Sequence, residues 1–143
     1  MKLKHFMVPT EKVVKAPSNQ RLKEVASLMV RENIGSVVLV DPSDNNHPVG
    51  ILTKTDLVRE CLKSDCNVEL PAESVMSRDL TFAKDYLEEE QVAETMSSKN
   101  IHYVLVEDEQ SNWVGMASTV DILTEIAASH KAFPYNRRRK VEY

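Results

Sequence analysis

The sequence predicts an α+β fold of two pseudo-symmetric β-α-β-β-α repeats packed through their sheets. Three observations carry this: a segment written twice, a constant spacing between matching helices, and continuous apolar runs of strand length. Gly50-Ile51-Leu52-Thr53-Lys54-Thr55-Asp56 returns as Gly115-Met116-Ala117-Ser118-Thr119-Val120-Asp121. Each copy reads Gly, two apolar or small residues, a hydroxyl residue, two spacers, then Asp. The chain has only 3 glycines, and two of them open these copies. Self-similarity of this kind decides architecture before any local feature does.

The elements follow in order. Val13-Val14-Lys15-Ala16 and Leu80-Thr81-Phe82-Ala83 read as short opening strands. Leu22, Val25, Ala26, Met29 and Val30 fall at i, i+3, i+4, i+7 and i+8, the stripe of an amphipathic helix running to about Glu32. Val92, Ala93 and Met96 repeat Val25, Ala26 and Met29 at an offset of 67, as Ile101 repeats Ile34. Ser18 and Asp85 share that offset and are expected as helix N-caps, with Asp85 and Glu88 forming a capping box. Val37-Val38-Leu39-Val40 and Tyr103-Val104-Leu105-Val106 are strands buried on both faces. The first leads through a polar loop, Asp41 to Pro48, into the first Gly-to-Asp segment. The second leads through Glu107 to Asn112 and Trp113-Val114 into the second. Closing helices are expected near Leu57–Lys63 and Ile122–Ser129. The chain divides into repeat 1 (5–63), a charged connector (64–73), repeat 2 (74–129) and a basic tail (130–143). A unit of about 60 residues buries little core alone, so the two are expected to pack sheet to sheet.

At 143 residues, 42% hydrophobic and 28% charged, the composition is that of an ordinary globular protein. No apolar run approaches the roughly 18 residues of a membrane span. The start, Met1-Lys2-Leu3-Lys4-His5-Phe6, has no apolar secretory core. Cys61 and Cys66 lie in a polar stretch with no CxxC pair, so reduced thiols and a cytoplasmic location are expected. Arg137-Arg138-Arg139-Lys140 masks an acidic body: residues 1–136 carry 14 basic against 21 acidic residues. That balance argues against a nucleic-acid-binding domain and leaves the tail as the only hint of one.

The paired hydroxyl and carboxylate admit two readings. A carboxylate accepts two hydrogen bonds from a ribose cis-diol, and a hydroxyl in a first helical turn joins backbone N–H groups that already favour phosphate. Thr53-x-x-Asp56 and Ser118-x-x-Asp121 equally fit the capping box, which by pattern alone is the favoured reading. There is no Gly-rich phosphate loop, no nucleophile-base set and no His/Cys/Asp cluster with metal spacing, so no enzyme is expected. Glu88-Glu89-Glu90 reads as a solvated helix start.

The two ordered copies resemble the cystathionine-β-synthase (CBS) domain family over about residues 5–129. Met7 and Met76 match its Met-containing lead-in, and Ala26 with Met29 and Ala93 with Met96 match its helix. Ile34-Gly35 and Ile101-His102 match the entry to its second strand, and the Gly-to-Asp segments match its closing motif. The pair resembles a Bateman module, two such domains related by a pseudo-twofold axis.

The resemblance implies a non-catalytic regulatory module that binds adenosine-containing ligands (AMP, ADP, ATP or S-adenosylmethionine) in clefts between the repeats and signals to a partner protein. It implies no required cofactor and no metal, with the nucleotide itself as the regulatory ligand. Asp56 and Asp121 would hold ribose, with Thr53 and Ser118 beside ribose or phosphate, and first-strand backbone near Ala16 and Ala83 would edge the adenine. The positions after the isoleucine, often His or Arg in the family, are Gly35-Ser36 and His102-Tyr103 here. Gly35-Ser36 leaves the first copy short of positive charge, which Lys54 beside Thr53 can offset, while the second has Ser118-Thr119 with His102 nearby; which copy supplies the site stays open. One well-formed site is expected rather than two equivalent ones. The resemblance also implies a homodimer formed through helices, and a ligand-independent interaction module is the alternative function.

Overall fold

A computed structural model describes residues 1–129; the basic tail, 130–143, lies outside the described residues. The chain folds as two compact units, one of Thr10–Leu80 and one of Met1–Pro9 with the described residues from Thr81 onward. The described residues hold four α-helices and two sheets, the mixed α+β class that the sequence predicts.

In the Thr10–Leu80 unit, β2 (Lys15–Pro17) runs parallel to β3 (Ser36–Asp41), which pairs antiparallel with β4 (Asp44–Thr53). The strand order is β2-β3-β4. Helix α1 (Leu22–Glu32) buries Leu22, Val25 and Met29 against Val37, Leu39 and Leu52. Val30, expected on this stripe, is 83% exposed, and Leu28 packs in its place. The chain leaves the helix just beyond, through Asn33 in the left-handed region (φ 53°), and Ile34 N–H folds back onto Met29 O at 3.0 Å. Helix α2 (Lys54–Cys61) follows β4 directly. Where a long polar loop is expected, the β3–β4 turn is only Pro42-Ser43, because the Asp41 carboxylate accepts from Ser43 N at 2.8 Å and Ser43 Oγ at 2.7 Å. Those bonds hold Asp41 below its ordinary pKa and leave Asp44–His47 as an exposed extension of β4.

The other unit repeats the plan. Strand β5 (Phe82–Lys84) is parallel to β6 (Tyr103–Glu107), which is antiparallel to β7 (Trp113–Ser118). Helices α3 (Glu89–Lys99) and α4 (Thr119–Ser129) complete it, with Val92, Met96 and Ile122 on Val104, Val106 and Ala117. Asn100 ends α3 with φ 52°, as Asn33 ends α1.

Both expected N-caps of the longer helices are displaced. Ser18 and Asp85 sit in turns inserted between strand and helix, and their backbones are already committed. Ser18 N–H donates to Val40 O (2.9 Å) and its carbonyl accepts from Glu73 N (2.9 Å); Asp85 does the same with Glu107 O and Lys4 N, both 2.9 Å. The N-caps are Arg21 and Glu88, and the box that forms is Glu88–Gln91 rather than Asp85–Glu88. At α1 no side chain caps the helix. The carbonyls of Leu70 and Val68 accept from Leu22 N (2.7 Å) and Lys23 N (2.9 Å), so the connector does so. Glu89, read as solvated, is 5% exposed and hydrogen-bonds the Met1 ammonium. That contact lowers the Glu89 pKa against the opposing effect of burial.

The main departure from the expected boundaries concerns the lead-ins. Residues 1–9, contiguous with repeat 1, complete the sheet of repeat 2: β1 (Val8–Pro9) pairs antiparallel with β7, and Leu3 is fully buried among Ala83, Val92 and Val104. Residues 71–80, contiguous with repeat 2, complete repeat 1: Ser77 bridges Ile51, and Ala72 and Met76 join the first core. The docking matches bond for bond. Leu3 N–H donates to Leu87 O at 2.8 Å, and Ala72 N–H to Gln20 O at 2.8 Å. Each lead-in lies over a motif glycine, where a Cβ would have no room. At Gly50 it would meet Met76 Sδ and the Ser77 carbonyl oxygen (2.9 Å), and at Gly115 the Val8 carbonyl oxygen (2.6 Å) and Met7 Sδ (2.7 Å). The two conspicuous glycines are therefore there for close approach, not for a turn.

Candidate functional site

The two Gly-to-Asp segments end as matching strand-to-helix junctions, one in each unit. In the first, Thr53 is the N-cap of α2 and Asp56 its third helical residue, which places hydroxyl and carboxylate within reach of each other. Asp56 Oδ2 accepts from Thr53 N (2.9 Å) and Thr53 Oγ1 (2.9 Å), while Thr53 Oγ1 accepts from Asp56 N (3.3 Å). In the second, Asp121 Oδ2 accepts from Ser118 N (2.8 Å) and Ser118 Oγ (3.0 Å), and Ser118 Oγ accepts from Asp121 N (3.4 Å). Both copies thus form a reciprocal capping box. This explains why both helices start earlier than periodicity alone places them: the cap sits on the last strand residue.

Capping uses one carboxylate oxygen and leaves the other, and here the copies differ. Asp56 Oδ1 accepts from Arg59 Nη1 at 3.3 Å, and Asp56 is 8% exposed. The residue three beyond Asp121 is Thr124, so no guanidinium is available at that position. Asp121 is half-buried, and among the described residues no hydrogen bond to its Oδ1 is formed. Arg59 was not among the expected site residues. Its signal is the i, i+3 spacing on one helix face, where opposite charges meet.

The residue just before the neighbouring strand, β3 or β6, supplies the floor of each junction. Lys54 N–H donates to Gly35 O (3.1 Å) and Thr119 N–H to His102 O (2.9 Å), so Gly35 and His102 lie against the first helical turn. The Lys54 stem passes 3.7 Å from the position a Gly35 Cβ would take, and Lys54 is exposed. Thr119 Oγ1 also reaches His102 O, at 3.2 Å, while the His102 ring is exposed to solvent. The second junction therefore gathers Ser118, Thr119, Asp121 and His102, and the first gathers Thr53, Lys54 and Asp56.

Ala16 and Ala83 lie two strands away, on β2 and β5, the edge strands of their sheets. Ala16 pairs with Leu39, three residues along β3 from Ser36, which pairs with Thr53, or ~10 Å along the strand. Both alanines are buried, at 4% and 5% exposure. Their backbone polar groups face the neighbouring strand: Val14 O and Ser18 N bond β3, Thr81 O and Asp85 N bond β6, and alternate residues share a direction. The small side chain, rather than a spare N–H or C=O, is what these positions offer.

Among the described residues, the only close acidic group with metal-ligand potential is Glu88-Glu89-Glu90. Two of its carboxylates already pair with the Met1 ammonium, which they raise to about 10. No helix of the described residues is long and apolar enough to cross a membrane.

Comparison with known proteins follows the same lines. Residues 3–63 match the family model described as CBS domain. The uncharacterized protein MK0525 of Methanopyrus kandleri is 29% identical over 112 residues; the match covers 78% of this chain but only 56% of that relative's length. The fold overlays the CBS domain pair of protein MJ0100, solved in complex with 5′-methylthioadenosine and S-adenosyl-L-methionine. The TM-score is 0.76 at 25% identity, covering 90% of this chain and 98% of that one. It also overlays CBS domain protein PAE2072 of Pyrobaculum aerophilum, complexed with AMP, with a TM-score of 0.75 at 24% identity, 90% and 99% covered. With a doubled strand-helix plan, matching lead-ins and two motif junctions in place, the chain carries a CBS domain over residues 3–63 and folds as a CBS domain pair.

Proposed function

We propose that this chain is a non-catalytic regulatory module whose second junction binds an adenosine-containing ligand and whose output passes to a partner protein. The observation that carries the reading is the open Oδ1 of Asp121. Ser118 fixes Asp121 through Oδ2, so the carboxylate is held in place while its other oxygen can accept from a ribose hydroxyl. Such a ligand would leave the cap intact, so binding costs no helix stability. The exposed His102 ring and the positive end of the α4 dipole lie beside the junction and suit an anionic group such as a phosphate. The ligands of the structural neighbours, S-adenosylmethionine, 5′-methylthioadenosine and AMP, support the class of molecule. The first junction is the weaker candidate, since Arg59 must yield Asp56 Oδ1 before ribose can use it. A cytoplasmic setting belongs to the same reading.

Titration calorimetry with AMP, ADP, ATP and S-adenosylmethionine tests this. Binding of at least one is expected, weakened about tenfold or more by Asp121→Ala, since losing a charged hydrogen bond costs roughly 1.5–3 kcal/mol. Asp56→Ala should change it less. Thermal melts confirm that each variant remains folded, because either loses about 1 kcal/mol of capping. No heat from the folded wild type with any of the four ligands overturns the proposal.

A second reading has its own observation. Val58 and Leu62 at α2 are 58% and 83% exposed, and Val120 and Leu123 on α4 are 69% and 59% exposed. Apolar side chains on these helices would suit a homodimer or a docking partner without any ligand. A stable dimer in sedimentation equilibrium that ignores all four nucleotides favours it.

A further inference from the structure

The sheet that ends at the second junction has a cleft at its other end. Tyr103 of β6 pairs with Ser118 at the junction; Glu107, four residues on and about 13 Å along the strand, pairs with Lys84. Here a cleft of about 480 Å³ opens, lined by Lys2, Lys84, Tyr86 and Glu109. Small-molecule sites span about 300–1,000 Å³.

Three segments distant along the chain build the cleft, and each backbone is fixed. Lys2 forms an antiparallel bridge with Glu88, and Leu3 N–H donates to Leu87 O at 2.8 Å. Tyr86 sits in the turn after β5, where Asp85 N–H donates to Glu107 O (2.9 Å) and Leu87 N–H to Lys84 O (3.1 Å). Glu109 sits in the β6–β7 turn, which the Asp108 carboxylate closes by accepting from Gln110 N (3.0 Å) and Asn112 N (2.9 Å). Lys84 Nζ braces that turn: it donates to Asp108 O (3.2 Å) and Ser111 Oγ (3.3 Å) and pairs with Glu107 Oε1 (3.2 Å). Its three N–H donors are thereby engaged. Lys2, Tyr86 and Glu109 are exposed, and among the described residues no hydrogen bond or ion pair to their side chains is formed.

The duplicated plan shows that folding does not call for these side chains. At the offset of 67, Lys84, Tyr86 and Glu109 correspond to Pro17, Asn19 and Pro42. Lys2 corresponds to Pro71, which bridges Arg21 as Lys2 bridges Glu88. The backbone bonds match as well, Ser18 N–H to Val40 O and Asp85 N–H to Glu107 O. Where one unit has three prolines and an asparagine, the other places an unpaired cation, an unpaired anion and an aromatic ring around one cleft.

We propose that this cleft binds an aromatic α-amino acid as its zwitterion. The Lys2 ammonium takes the carboxylate, the Glu109 carboxylate takes the α-ammonium, and the Tyr86 ring covers the aromatic side chain. A simple anion would face the like charge of Glu109, and a simple cation that of Lys2, whereas a zwitterion satisfies both. Lys84, neutralised by Glu107, holds the turn that carries Glu109. The site stands apart from the nucleotide reading of the Asp121 junction and does not need it.

The test follows backbone amides of the full chain in proton–nitrogen correlation spectra during titration with phenylalanine, tyrosine and tryptophan. At least one is expected to bind, with shifts centred on residues 2–4, 84–88 and 107–112. The N-acetyl derivative of that amino acid lacks the ammonium, and its amide lacks the carboxylate. Each should bind about tenfold or more weakly, because one charged side chain is left without its partner. Lys2→Met, Glu109→Gln and Tyr86→Ala lie at exposed positions, and each should weaken binding while leaving resonances elsewhere, and any response to AMP, unchanged. The proposal is overturned if none of the three amino acids shifts these resonances at millimolar concentration. Blocked derivatives that bind as well as the free amino acid, or variants that bind like the wild type, overturn it equally.

Discussion

The two strand-to-helix junctions use the same capping geometry, yet only one carries a second occupant on its carboxylate. Asp56 is engaged on both oxygens, by Thr53 and by Arg59; Asp121 is engaged on one, by Ser118. The lead-ins show a parallel contrast. Leu3 and Ala72 occupy equivalent positions with equivalent backbone bonds, and both are fully buried, but one is a large side chain and the other a methyl. Duplicated backbone geometry is thus kept while side chains diverge, and function can follow the divergence. A cap needs only one oxygen, so the other is free to be spent on an ion pair or on a ligand.

The contrast between lead-ins predicts the largest effect. Leu3→Ala removes a wholly buried side chain from the unit that includes β7 and should cost about 2–5 kcal/mol, read as a lower denaturation midpoint. A loss below 1 kcal/mol would mean that the N-terminal segment is not a working part of that core. The glycines come next. Gly115→Ala should cost about 1–3 kcal/mol and exceed Gly50→Ala. At Gly115 the nearest obstacle is a backbone oxygen at 2.6 Å, whereas at Gly50 it is the Met76 side chain, with backbone oxygen at 2.9 Å. Met76→Ala should therefore relieve part of the Gly50→Ala loss, and an equal cost at both glycines would remove the distinction.

Helix ends predict symmetry instead. Asn33→Ala and Asn100→Ala should each cost about 1–2 kcal/mol, because both positions hold the left-handed conformation that a Cβ without a local hydrogen-bonding group disfavours. Matching losses in chemical denaturation are expected, and glycine at either position should restore stability. Arg59→Ala is the smallest change. Arg59 is 68% exposed, so its pair with Asp56 contributes at most about 1 kcal/mol to folding. Its informative readout is binding: releasing Asp56 Oδ1 should strengthen any nucleotide site at the first junction while leaving the second unchanged. Weaker binding after Arg59→Ala would instead make the guanidinium a ligand contact.

Much of this was legible in the sequence for a definite reason. The offset of 67 between Val25, Ala26, Met29 and Val92, Ala93, Met96 records helices that bury the same face against the same kind of strand. The runs Val37–Val40 and Val104–Val106 are long enough to be strands and apolar enough to be buried on both faces. The Thr53–Asp56 and Ser118–Asp121 pairs are local, four residues each, so their pattern could be read directly. Caps at Ser18 and Asp85 looked equally local and were displaced. Their backbones bond Val40, Glu73, Glu107 and Lys4, far away in sequence, and no local rule weighs such partners. Asn33 and Asn100 carried a readable signal, an asparagine directly after the helix and before the repeated isoleucine.

By itself the sequence determined the repeat, its helices and strands, and the chemical equipment of each junction, because these depend on periodicity and on residues within one turn of each other. The tertiary structure alone decided which repeat each lead-in completes, why Gly50 and Gly115 must be glycines, and which aspartate has an oxygen to spare. Those outcomes rest on contacts between segments distant along the chain, such as Val8 over Gly115, and on the aim of single side chains such as Arg59. Spacing along a chain encodes neither.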